Sequence, residues 1–354
     1  MTEPEPQAAP ILPPAPAVAS GAEAAALARL RGPDLSVRLG PLQLEHPLIN
    51  ASGTMEIFDL ADVAGPAILE HPPVAAYVPK TILLEPREGN PPPRILETAG
   101  GMINSIGLSG EGLEAFVSER LPRLLALPCP LILSIGGFSL SDYAAVAAGL
   151  RGALEQWSVG WMAKAGLEAN ISCPNVHSGC ASIGSDPGET RGVMAAIREV
   201  WPGLLVAKLT PNVTDIGAIA RAAVAGGADA IAAVNTYKGL VIDRETLRPF
   251  LGNMVGGVSG PAIKPLALRV IYELFRSVEV PLIGMGGVAG VQDALDLMAC
   301  GARVVAVGSA AFRDPWIVQD IADGLAGELV GRGLRMEELV GLAHRGPVSG
   351  CTSG

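Results

Sequence analysis

Paired cysteines, aromatic rings, charge and long apolar runs are all scarce in this 354-residue chain. The five cysteines, Cys129, Cys173, Cys180, Cys300 and Cys351, are odd in number and include no CxxC pair. That argues against a zinc or iron–sulfur site within the chain and points to a reducing compartment, the cytoplasm. His46, His71, His177 and His344 show no HxH or HExxH spacing, so no catalytic metal is expected. A GxSxG elbow is missing too, which disfavours serine-triad hydrolysis. No apolar run approaches the ~18–20 residues of a membrane span. The longest candidate, residues 124–133, is broken by Pro128 and Pro130. The chain start has neither the basic residues nor the unbroken apolar core of a signal peptide. Positive charge is in deficit, 25 Lys+Arg against 35 Asp+Glu, for a net charge of −10. A general nucleic-acid binder needs the opposite balance.

What is abundant is apolar surface, 49% of residues, together with 44 glycines and 30 prolines. So much apolar surface argues against disorder, and so much Gly and Pro against heptads. With aromatics at 4% and charged residues at 17%, the composition fits a buried parallel sheet covered by helices. Residues 1–33 are Pro- and Ala-rich and read as a mobile tail or a weak lead-in helix. Residues 35–44, turning at Gly40-Pro41, read as a small hairpin. Eight short apolar runs follow, at 48–52, 76–81, 131–135, 167–172, 204–209, 230–235, 281–285 and 303–308. Each run is followed by a helix-like segment. This alternation predicts an α/β fold, a (β/α)8 TIM barrel over 34–330 with a short N-terminal hairpin. Two long spacings, after Thr81 and after Asn235, imply inserted loops on the top face. Residues 331–354 read as a C-terminal helix, at 336–342, and a loose tail. An open doubly wound sheet would place GxGxxG after its first strand. Here the glycine pairs follow the seventh and eighth runs, where a barrel has its phosphate site.

Polar residues at barrel strand ends point into the active site. Gly286-Gly287 and Gly308-Ser309 open helices on adjacent runs, where backbone N–H groups can bind phosphate. One such pair would suit an ordinary tight turn; two favour a phosphorylated ligand. Lys80 and Lys208 end otherwise apolar runs. They could snorkel or sit in ion pairs, but a buried-end lysine is costly without an anion. A Schiff-base role and electrostatic stabilisation of an anionic ligand both remain open. Cys173 could be a small apolar filler, or a nucleophile or proton acceptor above a pocket. Asn170 and Asn175 beside it favour a polar ligand. Asn104, between Gly-rich turns and next to Ile106-Gly107-Leu108, suits a loop laid over a flat ligand.

Residues 50–54, Lys80-Thr81, 89–94, 104–108, 170–176, 208–215, 235–236, 256–265, 284–287 and 308–309 form an ordered series. In these blocks the chain resembles the dihydroorotate dehydrogenase family, and within it the class 1B catalytic subunit. The resemblance implies an FMN-bound barrel that oxidises dihydroorotate to orotate in pyrimidine biosynthesis. It casts Cys173 as the general base for the C5 proton, with hydride passing to flavin N5. It assigns Ser52, Gly53, Lys80, Thr81, Asn170, Lys208, Val234, Gly260, Gly286, Gly287, Gly308 and Ser309 to the cofactor. Within that set Lys208 would stand near the flavin N1–C2 edge. It assigns Lys80, Asn104, Ile106, Gly107, Leu108, Asn170, Asn175, Asn235 and Thr236 to the substrate. Class 1B further implies a homodimer, or a heterotetramer with a subunit carrying FAD and a 2Fe-2S cluster and passing electrons to NAD. A cysteine base separates class 1 from the membrane-linked class 2, so no membrane attachment is expected. Other readings of the same blocks are an FMN barrel acting on another dihydropyrimidine and a fumarate-dependent class 1A enzyme. A flavin-free Schiff-base aldolase and a non-catalytic phosphate-ligand binder stand further off.

Overall fold

A computed structural model describes residues 33–172 and 183–346. The expectations for residues 1–32 and 347–354, and for Cys173, Asn175, His177 and Cys180, fall outside the described residues.

The hairpin appears as β1 (Val37–Leu39) and β2 (Leu42–Leu44), paired antiparallel. Seven further strands form one parallel sheet: β3 (Leu48–Asn50), β6 (Leu131–Ile135), β7 (Ala165–Asn170), β8 (Leu205–Lys208), β9 (Ala230–Ala233), β12 (Leu282–Met285) and β13 (Ala302–Val307). Their order is β3-β13-β12-β9-β8-β7-β6. The helices between them include α1 (Ile57–Ala64), α2 (Leu140–Trp157), α3 (Pro187–Val200), α4 (Ile216–Ala225), α5 (Lys264–Phe275), α6 (Val291–Ala299) and α7 (Ile317–Arg332). Side-chain caps start several of them. Ser139 and Asp142 form a capping box at α2, and Asp186 and Asp215 accept from the first turns of α3 and α4.

The predicted second run bridges the two edges of this sheet. It stays extended and is bridged to β6 at Tyr77 and Ile82. On the other side, Ala75 N–H donates to the Leu48 carbonyl at 3.0 Å. Pro79 has no N–H to give, and beside it a side chain replaces the ladder. The carboxamide of fully buried Asn50 accepts from Val78 N–H at 2.9 Å and donates to the Val78 carbonyl at 2.7 Å. The eighth stave is therefore paired through an asparagine rather than as a regular strand.

Period-two alternation sorts the staves' side chains between two cores. Ile49, Ile132, Val206, Ala232, Ile283, Val304 and Ala306 pack inside the barrel with Leu39, Leu42 and Leu44 of the hairpin. Leu133, Leu167, Leu205, Ala207, Ile231, Val305 and Val307 face the helices instead. The hairpin leucines thus fill the floor of the barrel. The inward row then turns polar toward the strand C-termini: two residues beyond Ile132 and Val206 come Ser134 and Lys208.

Both long spacings hold inserted structure. The first carries β4 (Ile95–Thr98) and β5 (Gly101–Asn104), and the second carries β10 (Tyr237–Leu240) and β11 (Val255–Ser259). They join in one antiparallel sheet, β10-β11-β5-β4, with Asn104 opposite Gly257. A broken helix over residues 113–125, with a π turn at Phe116–Arg120, returns the chain to β6. The predicted C-terminal helix is a short one, Met336–Leu339, followed by a 3-10 turn at Leu342–His344.

Asn50→Ala would strand the buried N–H and carbonyl of Val78. The expected cost is about 2–4 kcal/mol of unfolding free energy, measured by urea denaturation. A loss under about 1 kcal/mol would show that backbone pairing, not this side chain, holds the stave.

Candidate active site

A cavity of about 380 Å³ opens at the C-terminal ends of the strands. Ser52, Gly53, Lys80, Thr81, Asn170, Lys208, Val234, Gly260, Gly286, Gly287, Gly308 and Ser309 all line it. A second cavity, about 460 Å³, lies against the inserted segments. Asn104, Ile106, Leu108, Asn170, Asn235 and Thr236 line both cavities, so the two are continuous; Gly107 lines the second alone. Every predicted site residue that is described therefore falls on one connected space. Cys173 and Asn175 lie outside the described residues.

The floor of this space is a polar chain that crosses the barrel. Lys208, 5% exposed at the end of β8, stands 3.6 Å from Glu168 of β7, itself 3% exposed. Glu168 accepts from Ser134 Oγ at 3.0 Å, and Ser134 meets Thr81 Oγ1 at 3.1 Å. Asn170 Nδ2 donates to the same Thr81 oxygen at 3.0 Å. Ser172 Oγ donates to Asn170 Oδ1 at 2.6 Å and accepts from Asn235 Nδ2. β6, the second stave, β7, β8 and the end of β9 are thereby joined through side chains. A buried charge pair costs less when its members make further hydrogen bonds, as Glu168 does with Ser134. Asn235 Oδ1 also accepts from Thr236 N–H at 2.8 Å, which fixes which face of the amide is left.

At the far end, the seventh and eighth runs supply the glycine turns. Gly287 has φ +78°, and a Cβ there would stand 2.8 Å from the Lys264 backbone. Gly260 has φ +98°, with a Cβ position 2.5 Å from Gly101 Cα. Only glycine fits either place. Among the described residues, the N–H groups of Gly286 and Gly287 meet no backbone acceptor. Free turn N–H groups on a concave surface suit a phosphate dianion.

The inserted loop forms the roof. Asn90 N–H donates to the Ile106 carbonyl at 3.0 Å, and its amide donates to Ser105 Oγ at 2.8 Å. Arg87 Nε donates to the Gly107 carbonyl at 2.8 Å while its guanidinium lies over the Phe138 ring. Lys80 Nζ reaches Ser109 Oγ at 2.7 Å. Arg120 ties the loop's end to the turn after β3, with ion pairs to Glu111 at 2.7 Å and Glu56 at 2.9 Å. Burial, reinforced by the charges of Arg120 and Arg94, presses the Lys80 ammonium below the usual lysine range, against Glu111 and Glu56. An anion bound beside Lys80 would relieve that pressure.

Sequence reasoning missed Ser134, Glu168 and Ser172, which connect the floor. It also missed Asn212, whose amide donates to Thr210 Oγ1 at 2.9 Å and the Thr236 carbonyl at 3.0 Å, and whose oxygen accepts from Lys238 N–H. Glu168 was findable, since it shares Asn170's face two residues earlier on a strand otherwise apolar.

Fold and cavity together define a (β/α)8 barrel whose strand C-termini open on one connected cavity, with a glycine turn at one end and an amide-lined pocket at the other. Sequence comparison agrees. The family profile described as dihydroorotate dehydrogenase matches residues 34–329. The catalytic subunit of dihydroorotate dehydrogenase B (NAD(+)) from Desulforudis audaxviator is 44% identical over 315 residues, 88% of this chain and 97% of that protein. The subunit of the same name from Trichlorobacter lovleyi is 42% identical over 306 residues, 85% and 95% of the two chains. That from Alkaliphilus oremlandii is 42% identical over 296 residues, 82% and 92%. The chain belongs to the dihydroorotate dehydrogenase family. Among the described residues, no helix is long and apolar enough to cross a membrane.

The floor pair makes a quantitative expectation. Glu168→Leu leaves the Lys208 charge buried without its carboxylate and should cost about 3–5 kcal/mol of stability in urea unfolding. Adding Lys208→Met should restore most of it. Equal stability of the single and double variants would mean that the loss in Glu168→Leu does not come from a stranded Lys208 charge.

Proposed function

We propose that this chain is the catalytic subunit of an NAD-linked dihydroorotate dehydrogenase, oxidising dihydroorotate to orotate in pyrimidine biosynthesis. The observation that carries the reading is the join between the two cavities: a glycine-cradled end and an amide-lined end share six residues and one polar floor. The residues fit FMN, because the Gly286-Gly287 turn, held at positive φ, keeps N–H groups that meet no backbone acceptor among the described residues and can serve a phosphate. Ser52, Gly53, Thr81, Val234, Gly260, Gly308 and Ser309 would line the rest of the cofactor. Bound there, FMN supplies the hydride acceptor.

The chain's own groups do the rest. Lys208 places a fixed positive charge at the floor, where negative charge gathers on reduction. Asn104, Asn170, Asn175 and Asn235 offer both donors and acceptors to the ring edge of the substrate, with Thr236 beside them. Lys80, already short of anionic company, pairs with its carboxylate. Ile106, Gly107 and Leu108 cover the ring and exclude water. Cys173 follows Ser172 directly and takes the C5 proton; its thiolate is a far stronger base than a hydroxyl at neutral pH.

The relatives are named as catalytic subunits, which supports a second subunit here. With no CxxC pair in this chain, a relay through FAD and a 2Fe-2S cluster to NAD belongs on that partner. The assembly would be a homodimer of this chain, or a heterotetramer with the partner, in the cytoplasm.

Cys173→Ala should keep the yellow flavin absorbance and lose most dihydroorotate oxidation at neutral pH. Turnover at the wild-type rate would remove Cys173 as the base. Cys173→Ser should move the pH–rate profile to higher pH, and a profile unchanged from wild type would count against the same assignment. Co-purification from the native host should bring a second flavin, iron absorbance and NAD reduction. Fumarate-dependent turnover by the isolated chain would instead place the enzyme in class 1A.

A further inference from the structure

The glycine turn at the cavity's phosphate end is gripped from both sides by one residue that the reaction does not use. Lys264 is the first residue of α5. Its backbone lies under Gly287: a Cβ on that glycine would come within 2.8 Å of Lys264 N and Cα. Its Nζ reaches forward to α6, 2.6 Å from Asp293 Oδ1 and 2.6 Å from Asp296 Oδ2. The other oxygen of Asp293 accepts from Ala289 N–H at 2.8 Å. Lys264 therefore meets the turn at Gly287 directly and at Ala289 through one carboxylate. The three side chains are only 22–32% exposed, so the contact is screened less than an ordinary surface ion pair. Burial pulls the lysine's pKa down, but the hydrogen bonds and charges of the two aspartates outweigh it and raise the pKa.

The charge arithmetic gives the arrangement a direction. Asp293 and Asp296 place two negative charges beside a turn whose free N–H groups suit a dianion. Unanswered, they would repel it; Lys264 cancels one and holds the carboxylate of the other interaction in line with Ala289. We propose that Lys264 and Asp293 are positioning residues for the FMN phosphate: Asp293, held by Lys264, fixes the Gly286–Ala289 turn, and Lys264 offsets the local negative charge, without touching the reacting end of the flavin. This rests on the FMN reading above and adds to it the residues that set preference for the phosphorylated flavin.

Because the effect is confined to one end of the ligand, FMN and riboflavin separate it from general loss of structure. The full chain, stripped of flavin, is titrated with each by flavin fluorescence, and its thermal unfolding is recorded alongside. Lys264→Met and Asp293→Ala should weaken FMN by about tenfold or more while riboflavin affinity stays within about twofold. Lys264→Arg, which keeps the charge and reach, should restore FMN affinity. Equal weakening of both flavins, or no change in FMN affinity in a folded variant, overturns the proposal. Should Lys264→Met fail to fold, Lys264→Arg and Asp293→Ala still decide it through the same ratio. Wild-type protein that binds neither flavin would instead overturn the FMN reading itself, and the proposal with it.

Discussion

A charge placed inside a barrel has to be answered inside the barrel. Lys208 and Glu168 stand 3.6 Å apart among apolar staves, only 5% and 3% exposed. Attraction alone rarely repays the desolvation of such a pair. What makes it tenable here is that Glu168 also accepts from Ser134, and that Ser134 opens a line of hydroxyls and amides running to Asn235. The line ties five staves at the level of the cavity. The side chains along its floor are thus held by one another, so little reorganisation is left for binding.

The other constraints serve that floor. Barrel closure is completed by Asn50, whose amide substitutes for strand pairing beside Pro79 and leads the second stave to Lys80 and Thr81 at the cavity. The leucines of the first hairpin plug the opposite end, so the barrel is a packed core below and a pocket above. The two insertions meet as one antiparallel sheet, which brings Asn104 and the 105–109 loop over the cavity from a separate part of the chain. Where the backbone passes tightly against a neighbouring turn at positive φ, as at Gly260 and Gly287, only the absence of a Cβ allows it.

Much of this was readable in the residues. The alternation of apolar runs and helical segments gave the barrel, and the two long gaps marked the insertions. Lysines ending apolar runs and glycine pairs late in the order marked the pocket, because each is costly or uncommon unless a ligand or a turn needs it. The residues that escaped notice share a different property. Ser134 and Glu168 sit within runs that look continuously apolar, and their role appears only when neighbouring staves set them side by side. Partners 34 to 89 positions apart carry no local signature. The second stave was read as a strand because Ala76–Thr81 is apolar; that Asn50 would pair it, from 28 residues upstream, is a property of the closed barrel. Lys264 was seen only within a motif, since its two aspartates lie on the next helix but one turn beyond the glycines.

The central claim is that this one connected cavity holds flavin and dihydroorotate in reacting contact. It is tested most directly by anaerobic mixing of the purified, flavin-loaded protein with substrate while the flavin absorbance is followed. The account predicts prompt bleaching by dihydroorotate and none by dihydrouracil, which lacks the carboxylate that Lys80 would receive. Bleaching by dihydrouracil with no response to dihydroorotate would contradict it.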